Sequence, residues 1–172
     1  MKRNITPTTV EKVMRDDDFI VSMTDTKGRI TYGNRIFIEF SGYSEEELLG
    51  TQHNIIRHPD MPRAVFQLLW DKIQKKEECF AYVKNMSKDG AFYWVFTNVT
   101  PTFDSSGNIN GYFSVRRKPK RSGIDAVTPL YAAMLEAERK AGPANAIAAS
   151  TKILVDILNE KGMSYDELVL AI

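Results

Sequence analysis

The sequence predicts an α+β domain: a five-stranded antiparallel sheet flanked by short helices and one long helix, followed by a C-terminal helical extension. Three observations predict it. Residues 19–34 form two β-branched and aromatic runs across a polar turn. Residues 62–76 repeat apolar side chains with a helical period, and residues 79–118 carry three segments with a period of two. Strand side chains alternate between faces, so a period of two marks half-buried strands, and a period near 3.6 marks one apolar helix face.

The elements follow in order. The first 17 residues are polar and expected to be loose, with a short helical stretch near Val10–Met14. "FIVSMTD" and "KGRITYGN" read as two strands joined by a turn at Asp25–Gly28. In "NRIFIEFSG" Ile36, Phe37 and Phe40 have helical spacing. "SEEELLG" opens a short helix with a capping box, Ser44 and Glu47, and Gly50 is placed to end it. In "PRAVFQLLWDKIQKK" Val65, Leu69 and Ile73 recur at intervals of four beside Phe66 and Trp70; Asp60 is the expected cap, with the helix starting near Met61. "CFAYVKNMS", "AFYWVFTNVTPTF" and "INGYFSVRRKP" are the three later strands, with "KDG" and "DSSGN" as hairpin turns. Cys79, Ala81, Val83 and Asn85 share one face of the first; Tyr93, Val95, Thr97 and Val99 share one face of the second. The face of Arg116 is uncertain by one register. Helices are expected at 128–141 and 143–161 around a Gly142–Pro143 break, then a short one with a capping box from Ser164 to Glu167. Three regions result: a polar segment 1–17, a domain 18–119 and a helical extension 120–172.

Composition narrows the function. Of 172 residues 43% are hydrophobic and the net charge is +1, which gives no reason to expect nucleic acid or an anionic membrane as main partner. A single cysteine, Cys79, allows no internal disulfide, the basic N-terminus has no apolar core of a signal peptide, and no apolar run is long enough to span a bilayer. A cytoplasmic protein is expected.

The stretch "HNIIRHPDMP" holds both histidines, His53 and His58, with Arg57 and Asp60. Two histidines flanking a loop, with the only cysteine distant, fall short of the three or four ligands of a zinc site. Cys79 sits among strand residues without an orienting base, so neither nucleophilic catalysis nor any enzyme activity is expected. Asn85 carries the clearest hint of a ligand: an asparagine on the inward face of a strand costs desolvation unless something pairs with it. Arg116 is its candidate companion. For Phe66 and Trp70 ordinary core packing is the alternative role.

The order of two strands, short helices, a long helix and three antiparallel strands resembles the PAS domain. "TDTKGRITYGN", "SGYSEEELLG", "KDGAFYWV" and "SSGNINGYFSVRR" carry that resemblance over roughly Asp18 to Lys118. More narrowly, "HNIIRHPDMPRAVFQLLW" and "VKN" followed by "YWV" resemble the PAS domains of aerotaxis and energy-taxis receptors. The resemblance implies noncovalently held FAD, redox or energy sensing, and a chemoreceptor or other signalling protein as partner. It implies cofactor-binding roles for Asn34, His53, Arg57, His58, Asp60, Phe66, Trp70 and Asn85. Cys79 stands where that type usually carries a tryptophan, leaving Phe80 or Tyr82 to compensate. Two other readings stay open: haem b held by His53 or His58 in a gas or redox sensor, and a cofactor-free interaction module whose hollow is filled by its own side chains. The C-terminal helices could form a homodimer or docking surface, or cover the domain's own sheet.

Overall fold

The computed structural model describes residues 5–172. Five antiparallel strands form one sheet: β1 (Phe19–Thr24), β2 (Ile30–Gly33), β3 (Cys79–Met86), β4 (Phe92–Phe103) and β5 (Ile109–Arg117), in the spatial order β2-β1-β5-β4-β3. Between β2 and β3 the chain forms α1 (Arg35–Ser41), α2 (Glu45–Leu48), a 3-10 turn (His53–Ile56) and the long helix α3 (Arg63–Gln74). After β5 come α4 (Arg121–Ala141), α5 (Ala146–Lys161) and α6 (Tyr165–Ala171). This is the α+β architecture that the periodicity predicts.

Local chemistry sets many of the boundaries. Asn34 caps α1 by accepting from the Phe37 amide, and Gly42 ends that helix in the left-handed region. Both expected capping boxes form, Ser44 with Glu47 and Ser164 with Glu167. The cap of α3 differs from expectation. The helix starts at Arg63, and Pro62 at the cap position offers no side-chain acceptor. Asp60 instead pairs with Lys84 Nζ at 2.7 Å. The Arg63 amide donates to Glu138 Oε1 of α4 at 2.6 Å, so the acceptor for this helix start comes from 75 residues away.

The stretch Val10–Met14 is not helical. Residues 8–12 run beside the start of β4: Thr8 N donates to Gly90 O and Lys12 N to Phe92 O, while Phe92 N donates to Val10 O. Residues 1–4, part of the expected polar segment, lie outside the described residues. Helix α4 begins at Arg121, ahead of the expected Thr128 start, and Pro129 lies inside it. A proline reads as a helix start because it lacks the N–H donor, yet one lost hydrogen bond is outweighed here by packing. Ile124, Val127, Tyr131 and Met134 of α4 join the same core as the sheet.

The register fixes the two faces of the sheet. Cys79, Ala81, Val83 and Asn85 pair with Val99, Thr97, Val95 and Tyr93, and Thr97 in turn pairs with Arg116. This face lies beneath α3. Phe80, Tyr82, Trp94 and Phe96 occupy the other face, where their rings contact one another and Trp94 stacks on Tyr131 of α4. A Cβ at Gly123 would lie 2.3 Å from the Tyr82 ring, so the absence of a side chain there allows α4 to approach the sheet. Helix α5 packs on α4 and α3, and α6 on β3. The extension thus wraps the edge strand β3, with Tyr131 Oη donating to Tyr82 O at 2.7 Å, and satisfies part of an edge that would otherwise invite pairing with other chains.

Candidate functional site

Between the inner sheet face and α3 lies a cavity of about 370 Å³. Its size is at the lower end of the roughly 300–1,000 Å³ of small-molecule sites. The apolar side of α3 explains it: Val65 is buried in the core, whereas Phe66, Leu69, Trp70 and the buried Ile73 face the hollow. Trp70 meets Tyr112 edge-on at 5.3 Å and abuts the Asp25–Gly28 turn, where Gly28 has φ +76 and a side chain would crowd the indole. Phe80 and Tyr82 point to the opposite face of the sheet. They neither fill the hollow nor replace a pocket wall near Cys79.

The floor is polar. Asn85 is 4% exposed, lines the cavity and has no side-chain hydrogen bond to any described residue. Arg116 is 2% exposed, its guanidinium stacks over the Phe37 ring at 4.7 Å, and its Nη2 donates to Ser22 Oγ. Among the described residues its Nε and Nη1 have no partner, and neither does the Tyr93 hydroxyl. Burial lowers the Arg116 pKa to about 10, partly offset by Tyr93. A buried cation without a carboxylate is costly, and its free N–H groups ask for an electron-rich acceptor.

His53 stands beside this floor. Its Nε2 lies 3.0 Å from Ser22 Oγ and its ring is nearly parallel to Phe37. Burial, and then the charge of Arg116, pushes its pKa down to about 3, so the imidazole is neutral and shares a hydrogen bond with the serine hydroxyl that Arg116 also contacts. Arg57 lies over the Phe66 ring at 4.3 Å, with Nη2 donating to Met61 O, and an isolated antiparallel bridge ties it to Asn85. Burial lowers its pKa, opposed by the charge of Glu138. The mouth carries exposed Gln52, Asn54, Arg63 and Gln67, and Ile147 of α5 reaches its rim.

Of the eight residues singled out in the sequence, five line the cavity: His53, Arg57, Phe66, Trp70 and Asn85. Three do not. Asn34 Oδ1 accepts from Val21 N and Phe37 N while its Nδ2 donates to Phe19 O, so its side chain fastens β1 to α1. His58 is buried outside the cavity, its Nδ1 accepting from Asp60 N; burial and Lys84 hold its pKa down to about 4, with Asp60 opposing. Asp60 serves Lys84. Arg116 belongs to the floor, and what hid its role was strand register. Cys79 is buried, with its thiol pKa raised to about 12 by desolvation, the surroundings of an inert core cysteine. Among the described residues no cluster of His, Cys, Asp or Glu could hold a metal ion. No helix there is long and apolar enough to cross a membrane.

Comparison with known proteins agrees with this architecture. A family model described as the PAS fold matches residues 30–116. The aerotaxis receptor of Escherichia coli (strain K12) is 42% identical over 121 residues, which is 70% of this chain and 24% of the receptor. The nitrogen fixation regulatory protein of Klebsiella pneumoniae is 28% identical over 97 residues, 56% of this chain and 20% of that protein. The chain therefore spans about a quarter or less of the length of these relatives. The light-state structure of the blue-light photoreceptor Aureochrome1 LOV superposes with a TM-score of 0.58 at 24% identity, over 64% of this chain and 88% of that one, a likeness of fold. Half of the chain matches the PAS model, and 70% of it aligns with the aerotaxis receptor at 42% identity: the chain belongs to the PAS-fold family and carries an aerotaxis-receptor-like PAS domain.

Proposed function

We propose that this PAS domain binds a flavin noncovalently in the cavity and reports redox or energy state to a chemotaxis signalling partner, without catalysing turnover. The observation that carries the reading is Arg116, buried at the cavity floor with two nitrogens unpartnered and no carboxylate beside it among the described residues. The polar edge of a flavin ring offers acceptors to Arg116 and complementary groups to the Asn85 amide, while Phe66 and Trp70 supply apolar walls for the fused rings. A bound flavin supplies reversible electron uptake, which adds negative charge to that edge.

The chain's own groups then do the rest. Arg116 stabilises the added charge, and Ser22 and His53 adjust their shared hydrogen bond to it. Asn85 reorients its amide, and through the backbone bridge to Arg57 the change reaches both β3 and the start of α3. Helices α4 and α6 rest on β3, and Glu138 joins α4 to α3, so this is the route by which the extension would pass a population shift to a partner. FAD is the form that the likeness to aerotaxis-type domains favours.

The test is the visible spectrum of the purified full chain, alone and after incubation with flavins. Flavin absorption bands that persist through gel filtration, weakened by Asn85→Ala, support the reading. A protein that stays colourless with flavin, or one that shows a Soret band instead, overturns it.

A further inference from the structure

A second, larger hollow adjoins the first. It is a groove of about 1,540 Å³ between the loop of residues 51–63 and the α4–α5 hairpin. Gln52, Asn54, Arg57 and Arg63 line both, so the cavity mouth opens into the groove. The far wall comes from the C-terminal extension, with Leu135, Glu138 and Arg139 on α4 and Pro143 and Ala146 at the start of α5. These residues lie beyond the stretch that matches the PAS model.

Cationic groups outnumber anionic ones in this groove. Arg57, Arg63 and Arg139 face two carboxylates, Glu47 and Glu138. Glu47 is paired with Lys88, and Glu138 is occupied by the Arg63 amide and the Ser150 hydroxyl at 2.7 Å. His58, which also lines the groove, is neutral at ordinary pH because burial holds its pKa down to about 4. Arg139 contacts only the exposed Glu136, a surface pair of little strength, and the Arg63 guanidinium has no partner among the described residues. The groove is therefore cationic where it meets the cavity and more apolar at the α4–α5 junction.

We infer that the α4–α5 hairpin completes the cofactor site: the groove takes the pyrophosphate and nucleoside half of a dinucleotide flavin whose ring sits in the inner cavity. This rests on the flavin reading above and extends it. A cavity of 370 Å³ has room for a three-ring head but not for a second nucleotide half of similar size, which needs the adjoining space. Arg57 stands at the boundary, and Arg63 and Arg139 present guanidinium groups that suit a pyrophosphate, since paired N–H donors match two phosphate oxygens. The extension would thus touch the cofactor directly as well as resting on the sheet.

The experiment measures affinities of the full apo chain for FAD, FMN and riboflavin by flavin fluorescence, with ADP as competitor, at low and high salt. FAD is expected to bind at least about tenfold more tightly than riboflavin, with ADP displacing FAD but not riboflavin, and with the preference shrinking as salt rises. Arg139→Glu, at an exposed position, narrows the FAD-to-riboflavin ratio; Arg63→Glu does so independently. Equal affinities for the three flavins, unaffected by ADP and by both variants, overturn the groove assignment and leave the ring site standing. Failure of all three flavins to bind removes both.

Discussion

Arg116→Met gives a prediction whose two parts have opposite signs. The guanidinium is 2% exposed, and burial holds its pKa near 10 against an ordinary 12.5. That fall corresponds to roughly 3 kcal/mol against the charged form in the folded protein. The sign follows directly: below pH 10 the arginine is charged in both states, so the whole penalty falls on folding throughout the neutral range. Methionine removes the penalty and keeps most of the side-chain volume, but it gives up a charge-assisted hydrogen bond to Ser22 and the contact with Phe37, together about 2 kcal/mol. The ligand-free variant should therefore be about 1 kcal/mol more stable, which for a chain of this length raises Tm by about 2–4 °C. The same variant should lose flavin, because the floor no longer answers the ring's polar edge. Differential scanning calorimetry of the flavin-free protein and flavin retention through gel filtration measure the two parts. A lower Tm together with unchanged retention would refute the argument, since it would make Arg116 an ordinary structural residue.

Three further outcomes follow from the same structure. His53 and His58 have pKa values of about 3 and 4 in the folded chain against 6.5 in the unfolded one, so the unfolded state takes up protons first and stability falls as pH drops below 6.5. Each imidazole should cost about 2 kcal/mol between pH 7 and pH 5, read from urea midpoints, and a His53→Gln, His58→Gln double variant with an equally steep pH slope would contradict this. Gly123→Ala forces a Cβ into the Tyr82 ring and should destabilise the protein by about 1–3 kcal/mol in thermal melts; no change would mean that α4 is not seated on the sheet. Cys79, with its thiol pKa near 12, should resist a thiol reagent at pH 8 until the protein unfolds, and rapid labelling of the native chain would place it outside the core.

Much of the fold was legible along the chain. The strands, the long helix, both capping boxes and the shared faces of β3 and β4 follow from side-chain period and from contacts within a few residues. Asn85 was legible too, because an amide on an inward strand position is costly whatever surrounds it. The start of α3 was not. Its sequence offers Asp60 as a cap, but the acceptor is Glu138, brought there by the way α4 and α5 fold back. The start of α4 was hidden because Pro129 gives a local signal that long-range packing overrides.

The site divides along the same line. By itself the sequence determined the fold class, the hollow's aromatic helix and the polar residue on β3, because these depend on periodicity and on the desolvation cost of single groups. Only the tertiary structure decided that Arg116 faces inward, that His58, Asp60 and Asn34 lie outside the inner cavity, and that the C-terminal hairpin forms one wall of the adjoining groove. Those outcomes depend on strand register and on contacts between residues up to 94 positions apart, and a change of one residue in register exchanges a buried charge for an exposed one.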